Sequence, residues 1–211
     1  MELTLEGRSE RATYHLMTQL VLPRPIAWAL TDNGPDLDDA DRWNLAPFSY
    51  FNGVSSAPAT VAFSIGNGMA GREKDTCRNL RERPHVVVHI PAARDAADVQ
   101  RSAADLPPAA SEVALLGRRT VAWPFPVPRI EGPPVALAGE VRRLVDLDDG
   151  GRQVLVLAEV VRIHVDDAAV TRERDGEGRE RVRVDPAVVD PLCRLGAGTY
   201  ATLGPPFTVP G

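Results

Sequence analysis

With 211 residues, 44% of them hydrophobic and 25% charged, the chain has the composition of an ordinary globular protein and enough apolar surface for one large core or two small ones. A net charge of −5 argues against a nucleic-acid-binding face. Cys77 and Cys193 stand too far apart for a zinc motif or a disulfide framework. The opening residues are acidic and carry no export signal, and no apolar run is long enough to span a membrane, so the expected address is the cytoplasm.

In chain order, residues 9–22 read as a helix halted by Pro23 and Pro25. Residues 26–31 follow as a strand, residues 32–35 as a turn and the acidic residues 36–41 as a solvated loop. The run 43–71 contains no charged residue although Arg42 and Arg72 flank it, and it supplies strands at 47–51 and 59–65. A short helix is expected over 77–83, capped by Asp75 or Thr76, then a strand at 86–90 and a helix at 95–105. Residues 111–133 read as irregular, with Trp123–Pro128 too proline-rich for regular structure. Two long strands, 134–145 and 153–165, are joined by a hairpin turn. Residues 172–184 read as an exposed connection, and the tail from Asp190 as irregular structure. Strands outnumber helices and the later ones are joined by hairpins, which points to a mainly β fold, an antiparallel barrel with peripheral helices, in one domain over 1–211: a core of about 20–165 and an extension over 166–211.

The neutral run suits a flat, hydrogen-bonding ligand, since small residues expose backbone groups while Phe48, Tyr50 and Phe51 wall its faces; a ligand-free core hairpin fits the same composition. Residues 66–71 match G-x-G-x-x-G after a strand and before a helix, but the strand–helix alternation of a dinucleotide fold does not continue. The same loop feeds a helix N-terminus that favours an anion, beside Lys74, the one lysine among 24 basic residues. An ordinary capped helix with a solvated lysine is the alternative. His15, His85, His89 and His164 show no metal spacing, and those in strands fit satisfied core histidines. No self-sufficient nucleophile or acid–base pair is visible, which moves the chemistry onto a cofactor.

Several segments together resemble one family. They are Arg24-Pro25-Ile26-Ala27-Trp28, the run 44–52 with Val54, Ser55, Ser56 and Pro58, and Lys74-Asp75-Thr76 with Arg78 and Asn79. Further along are Pro128-Arg129-Ile130 with Pro134, Ile163-His164-Val165, and Arg194-Leu195-Gly196 with Tyr200. Over residues 20–205 the chain resembles the flavin reductase-like, FMN-binding split-barrel family that includes flavoredoxin. The resemblance implies a homodimeric split barrel that binds FMN non-covalently. It further implies transfer of reducing equivalents from NADH or NADPH through the flavin to free flavin, a monooxygenase partner or another redox protein. It places Ser49, Tyr50, Phe51 and Asn52 against the flavin, with Ser55 and Ser56 from the same motif. Lys74 and Thr76 fall on the phosphate side with Arg24 as a second cation, and His164 near the open face of the flavin. An FMN-binding electron carrier or sensor without NAD(P)H turnover is the alternative. The loop 32–42 and the segment 172–184 depart from the family pattern.

Overall fold

The computed structural model describes the chain apart from residues 40, 67–70, 109, 151–152, 197 and 210–211. Helix α1 (Glu10–Leu20) begins where the Ser9 side chain accepts a hydrogen bond from the Ala12 N–H. Strands β1 (Arg24–Pro25), β2 (Ala27–Asp32), β3 (Trp43–Phe48), β4 (Phe51–Ser56) and β5 (Ala59–Gly66) follow, then α2 (Asp75–Glu82) and β6 (His85–Ile90). A 3-10 turn at Ala93–Asp95 leads into α3 (Ala96–Arg101), followed by α4 (Glu112–Leu116) and the short strands β7 (Thr120–Val121) and β8 (Arg129–Ile130). The long strands β9 (Val135–Asp146) and β10 (Gln153–Val165) precede the hairpin of β11 (Val170–Arg174) and β12 (Glu180–Val184). Helix α5 (Pro186–Val189) and strands β13 (Cys193–Arg194) and β14 (Tyr200–Ala201) complete the chain.

Seven strands form one antiparallel sheet in the order β3-β2-β6-β9-β10-β5-β4. Its two edges, β3 and β4, are consecutive in sequence and separated only by Ser49 and Tyr50. A chain can pass from one edge to the other in so few residues only if the sheet curls until its edges meet, so the sheet is a barrel with a seam. The seam is tied to β5, whose Ser64 N–H donates to the Tyr50 carbonyl at 2.9 Å and whose Phe63 ring stacks on Phe48 at 5.5 Å. The continuous strand expected over 47–51 is therefore broken at 49–50, where the backbone turns the corner.

Side chains alternate along β2 with the two-residue period of a strand. Ala27 and Ala29 face the barrel interior with Phe48, Phe63 and Val156, while Ile26, Trp28 and Leu30 face an outer cluster with Val99 of α3 and Val113 of α4. Helix α2 inserts Cys77 and Leu80 into the interior cluster. Arg24 is buried and clamps distant segments together, its guanidinium donating to the carbonyls of Thr18, Val21 and Leu195. No helix among the described residues is long and apolar enough to cross a membrane.

Four further expectations are revised. Helix α2 starts at Asp75 with Lys74 as its N-cap, so neither Asp75 nor Thr76 caps it. The helix expected over 95–105 ends at Arg101, where the Ser102 hydroxyl donates back to the Val99 carbonyl and accepts from the Trp28 indole N–H. The region 111–133 contains α4, capped by Ser111 and closed by Gly117 at φ 63°, a conformation glycine adopts without strain. The segment 172–184 is exposed as expected but pairs as a hairpin, its turn held by the Asp175 carboxylate accepting the Glu177 and Arg179 N–H groups.

Candidate functional site

A cleft of about 250 Å³ opens between the start of α2, strand β3 and the segment after α3, with Asn44, Pro47, Lys74, Thr76, Asp105 and Glu112 in its wall. A second cleft of about 160 Å³, walled by Tyr14, Ile26, Ser49, Val99, Arg194 and Tyr200, shares Pro47 and Ala103 with the first. The two adjoin at Pro47 and Ala103 beside the seam and together make one candidate groove. Joined, they reach the range of about 300–1,000 Å³ usual for small-molecule sites.

At the first end the Lys74 side chain is half-buried, its Nζ 5.7 Å from the centre of the Phe48 ring, and it makes no hydrogen bond or ion pair with any described residue. Burial lowers its pKa, opposed by the nearby charges of Asp105 and Glu112. As N-cap it stands beside Asp75 and Thr76, also in the cleft wall, whose amides precede the first hydrogen bonds of α2 (Cys77 and Arg78 N–H to the Lys74 carbonyl). Thr76 is buried in a network in which the Asn44 side-chain amide donates to the hydroxyls of Thr31 (3.0 Å) and Thr76 (2.9 Å), and the Asn79 side-chain amide donates to the Thr31 hydroxyl (3.1 Å) and to the Asn33 side-chain oxygen Oδ1 (2.9 Å). That network fixes α2 on β2 and β3 and so fixes Lys74 in the cleft.

Glu112 belongs to the site and escaped the sequence reading. Its carboxylate accepts the Leu45 N–H at 2.9 Å, while the Ser111 hydroxyl donates to the Trp43 carbonyl at 2.7 Å, so α4 satisfies backbone groups of edge strand β3. Burial pushes the Glu112 pKa up to about 7, outweighing the N–H groups that favour its charged form, and Asp75 pushes the same way. A local signal existed: Ser111 before Glu-Val-Ala-Leu-Leu and Gly117 after it punctuate a short helix.

At the second end, Ser49 sits on the bend with Arg24 Nε 3.4 Å from its hydroxyl oxygen. Tyr14 meets Tyr50 edge to face at 6.4 Å. Arg194 lies over the Tyr200 ring at 4.4 Å, and both donate to the Gln100 side-chain oxygen Oε1, at 3.1 and 2.9 Å.

Of the expected site residues, the groove brings Lys74, Thr76 and Ser49 into its wall, with Tyr50 beside Tyr14 at the rim. Arg24 stands behind Ser49 and walls neither cleft, and Phe51 packs against the barrel core. Asn52, Ser55 and Ser56 are exposed along β4. His164, on β10 opposite Ala136, lies outside both clefts; burial and then Arg129 lower its pKa. His89 is a satisfied core histidine, one ring nitrogen 3.1 Å from the Trp28 carbonyl and the other accepting the Ile130 N–H at 2.9 Å. The middle of the glycine motif, residues 67–70, lies outside the described residues.

The flavin reductase like domain family matches this chain over residues 17–176. The Bacillus subtilis protein YwrF is 32% identical over 205 residues, covering 95% of this chain and 94% of its own. Among solved structures, nitrilotriacetate monooxygenase component B from Bacillus cereus is 28% identical with a TM-score of 0.86 over 99% of this chain and 98% of that one. The 2-nitrobenzoate 2-nitroreductase NbaA from Pseudomonas fluorescens is 26% identical with a TM-score of 0.82 over 100% of this chain and 96% of its own. A seven-stranded barrel seamed at Ser49 and Tyr50, matched over most of its length by these relatives, is a split barrel, and the chain belongs to the flavin reductase-like family of flavin-associated redox proteins.

Proposed function

We propose that the groove binds FMN non-covalently, phosphate at Lys74 and ring system toward Ser49 and Tyr50, and that the chain is an oxidoreductase passing reducing equivalents from NADH or NADPH through the flavin to an acceptor. The observation that carries the reading is the Lys74 ammonium, half-buried in a cleft at a helix N-terminus with no polar partner among the described residues. A cation partly withdrawn from water with no hydrogen-bond partner is under-solvated, and an anionic ligand removes that cost. The donor set fits a phosphate monoester, and the aromatic and aliphatic wall of Tyr14, Ile26, Val99 and Tyr200 fits a flat ring.

Bound FMN would supply the two-electron chemistry. The chain's own residues do the rest. Lys74 and the first amides of α2 hold the phosphate, the Thr76–Asn44 network keeps that end of α2 in place, and Arg24 steadies the Ser49 hydroxyl at the ring end. Tyr14, Tyr50 and Tyr200 exclude water from the ring. We further place the whole chain, 1–211, in one domain that works as a homodimer, a reading supported by the exposed edge strand β4 and by Val161 and Ile163 on β10, which are 42% and 64% exposed. In that dimer His164, which lies outside this chain's own clefts, serves the partner's groove. The likeness to a monooxygenase component B supports an acceptor of the monooxygenase class.

The test is a visible absorption spectrum of the protein with stoichiometric FMN, followed under anaerobic conditions by NADH or NADPH. Co-elution of the flavin band and its bleaching by one nucleotide are expected. A bound flavin that neither nucleotide bleaches would replace the reductase by an electron carrier or sensor, and a protein that ignores FMN would end the reading.

A further inference from the structure

We propose that the groove takes up a proton together with the flavin phosphate, and that Glu112 is the residue that holds it. The inference rests on the FMN reading above and concerns the phosphate end of the same groove. The charged groups around that end are Arg72 and Glu73 before α2, Lys74 and Asp75 at its start, Asp105 after α3, and Glu112 on α4, while β3 contributes the neutral Asn44 and the Leu45 backbone. Arg72 pairs with Asp105 at 3.3 Å on the exposed rim, Glu73 pairs with Arg81 at 3.0 Å, and Asp75 pairs with Arg78. Lys74 and Glu112 have no ion pair among the described residues and act on each other through the cleft, each favouring the other's charged form until a stronger anion arrives at Lys74.

A phosphate drawn to Lys74 arrives beside the Glu112 carboxyl. Two anions in a desolvated cleft repel strongly. A proton on Glu112 removes the repulsion and converts an acceptor into a donor toward the phosphate, while the carboxyl oxygen that accepts the Leu45 N–H keeps that bond. The proton comes from bulk water or buffer and returns there when the ligand leaves. Burial already brings the Glu112 pKa to about 7 before any anion is present, so the proton is within easy reach at neutral pH.

The test is calorimetric titration of FMN into the protein at pH 8 in two phosphate-free buffers of different ionisation enthalpy, repeated with riboflavin and with Glu112→Gln. Free Glu112 is then largely ionised, so wild type should take up a substantial fraction of a proton per FMN, and FMN affinity should fall severalfold from pH 7 to pH 8. The phosphate, with a second pKa near 6, is already largely dianionic over that range. Glu112→Gln keeps an acceptor for the Leu45 N–H and should bind FMN without proton uptake and with a flat pH dependence. Riboflavin should show no uptake with either protein. FMN binding to wild type without proton exchange would overturn the proposal and leave the FMN site standing. Uptake that persists undiminished in Glu112→Gln would overturn the assignment to Glu112. No FMN binding at all would overturn both the site and the proposal.

Discussion

Replacing Lys74 by methionine separates anchoring from folding, because the two effects have opposite signs. Methionine keeps an unbranched apolar stem against Phe48, where the ammonium now lies 5.7 Å from the ring centre, and removes only the charge. In the ligand-free protein burial lowers the Lys74 pKa, so the folded state holds its proton less tightly than the unfolded chain does. The charged side chain therefore opposes folding at neutral pH, and that cost fades as pH rises toward the ordinary lysine range. Lys74→Met should then be at least as stable as wild type in urea unfolding. With FMN the sign reverses: one charge-assisted hydrogen bond is worth about 1.5–3 kcal/mol, so affinity should fall about 10- to 150-fold. Fluorescence titration of FMN and riboflavin against both proteins measures this, and the riboflavin constants should agree. An FMN constant within twofold of wild type would remove Lys74 from the site. A loss of riboflavin binding equal to that of FMN would mean the groove had been distorted and not merely discharged.

Two further outcomes concern the frame around the site. Burial holds His89 neutral with its pKa pushed down to about 3, so below its unfolded value near 6.5 the unfolded chain binds the extra proton and stability falls by about 1.4 kcal/mol per pH unit from this group alone. Urea unfolding at pH 7, 6 and 5 should show a shallower pH slope in His89→Gln than in wild type, and equal slopes would contradict the account. Arg118 bridges Asp95 and Asp98, both at 2.8 Å, and the Asp95 side chain is only 3% exposed. Arg118→Met should cost about 3–5 kcal/mol by leaving a buried carboxylate uncompensated, with part of the loss recovered on adding Asp95→Asn; a cost under 1 kcal/mol by chemical denaturation would show that Asp95 is not held as a buried ion.

Much of the barrel was legible because its signals are local. The short apolar runs at 26–31 and 86–90, and the glycine-rich turn between two long strands, mark β structure whatever lies beyond them. The bend at Ser49 and Tyr50 was not legible: residues 47–51 read as one strand, and only the closure of the sheet requires the chain to leave one edge and begin the other there. Lys74 stood out as a lone lysine beside a helix start, although the helix begins one residue after it and not at Cys77. Glu112 was hidden for a different reason. Its place in the groove depends on α4 packing against the edge of β3, a contact between residues far apart in sequence, and the prolines from 124 onward masked the short helix before them. Arg24 looked like a ligand cation by motif, yet three carbonyls and Ser49 surround its guanidinium, and no local pattern reveals that.

The Arg24 clamp also bears on how little of the chain can stand alone. The family match ends at residue 176, but the guanidinium at position 24 finds one of its acceptors at Leu195, and β1 pairs with β13, which in turn pairs with β14. A fragment trimmed to the matched segment would strand a buried positive charge, strip β1 of its neighbour and release the end of α1. The contacts that hold Arg24 and β1 thus reach beyond the matched segment. The last residues of the chain act on the first helix as a fastening: cutting at one terminus would loosen the other.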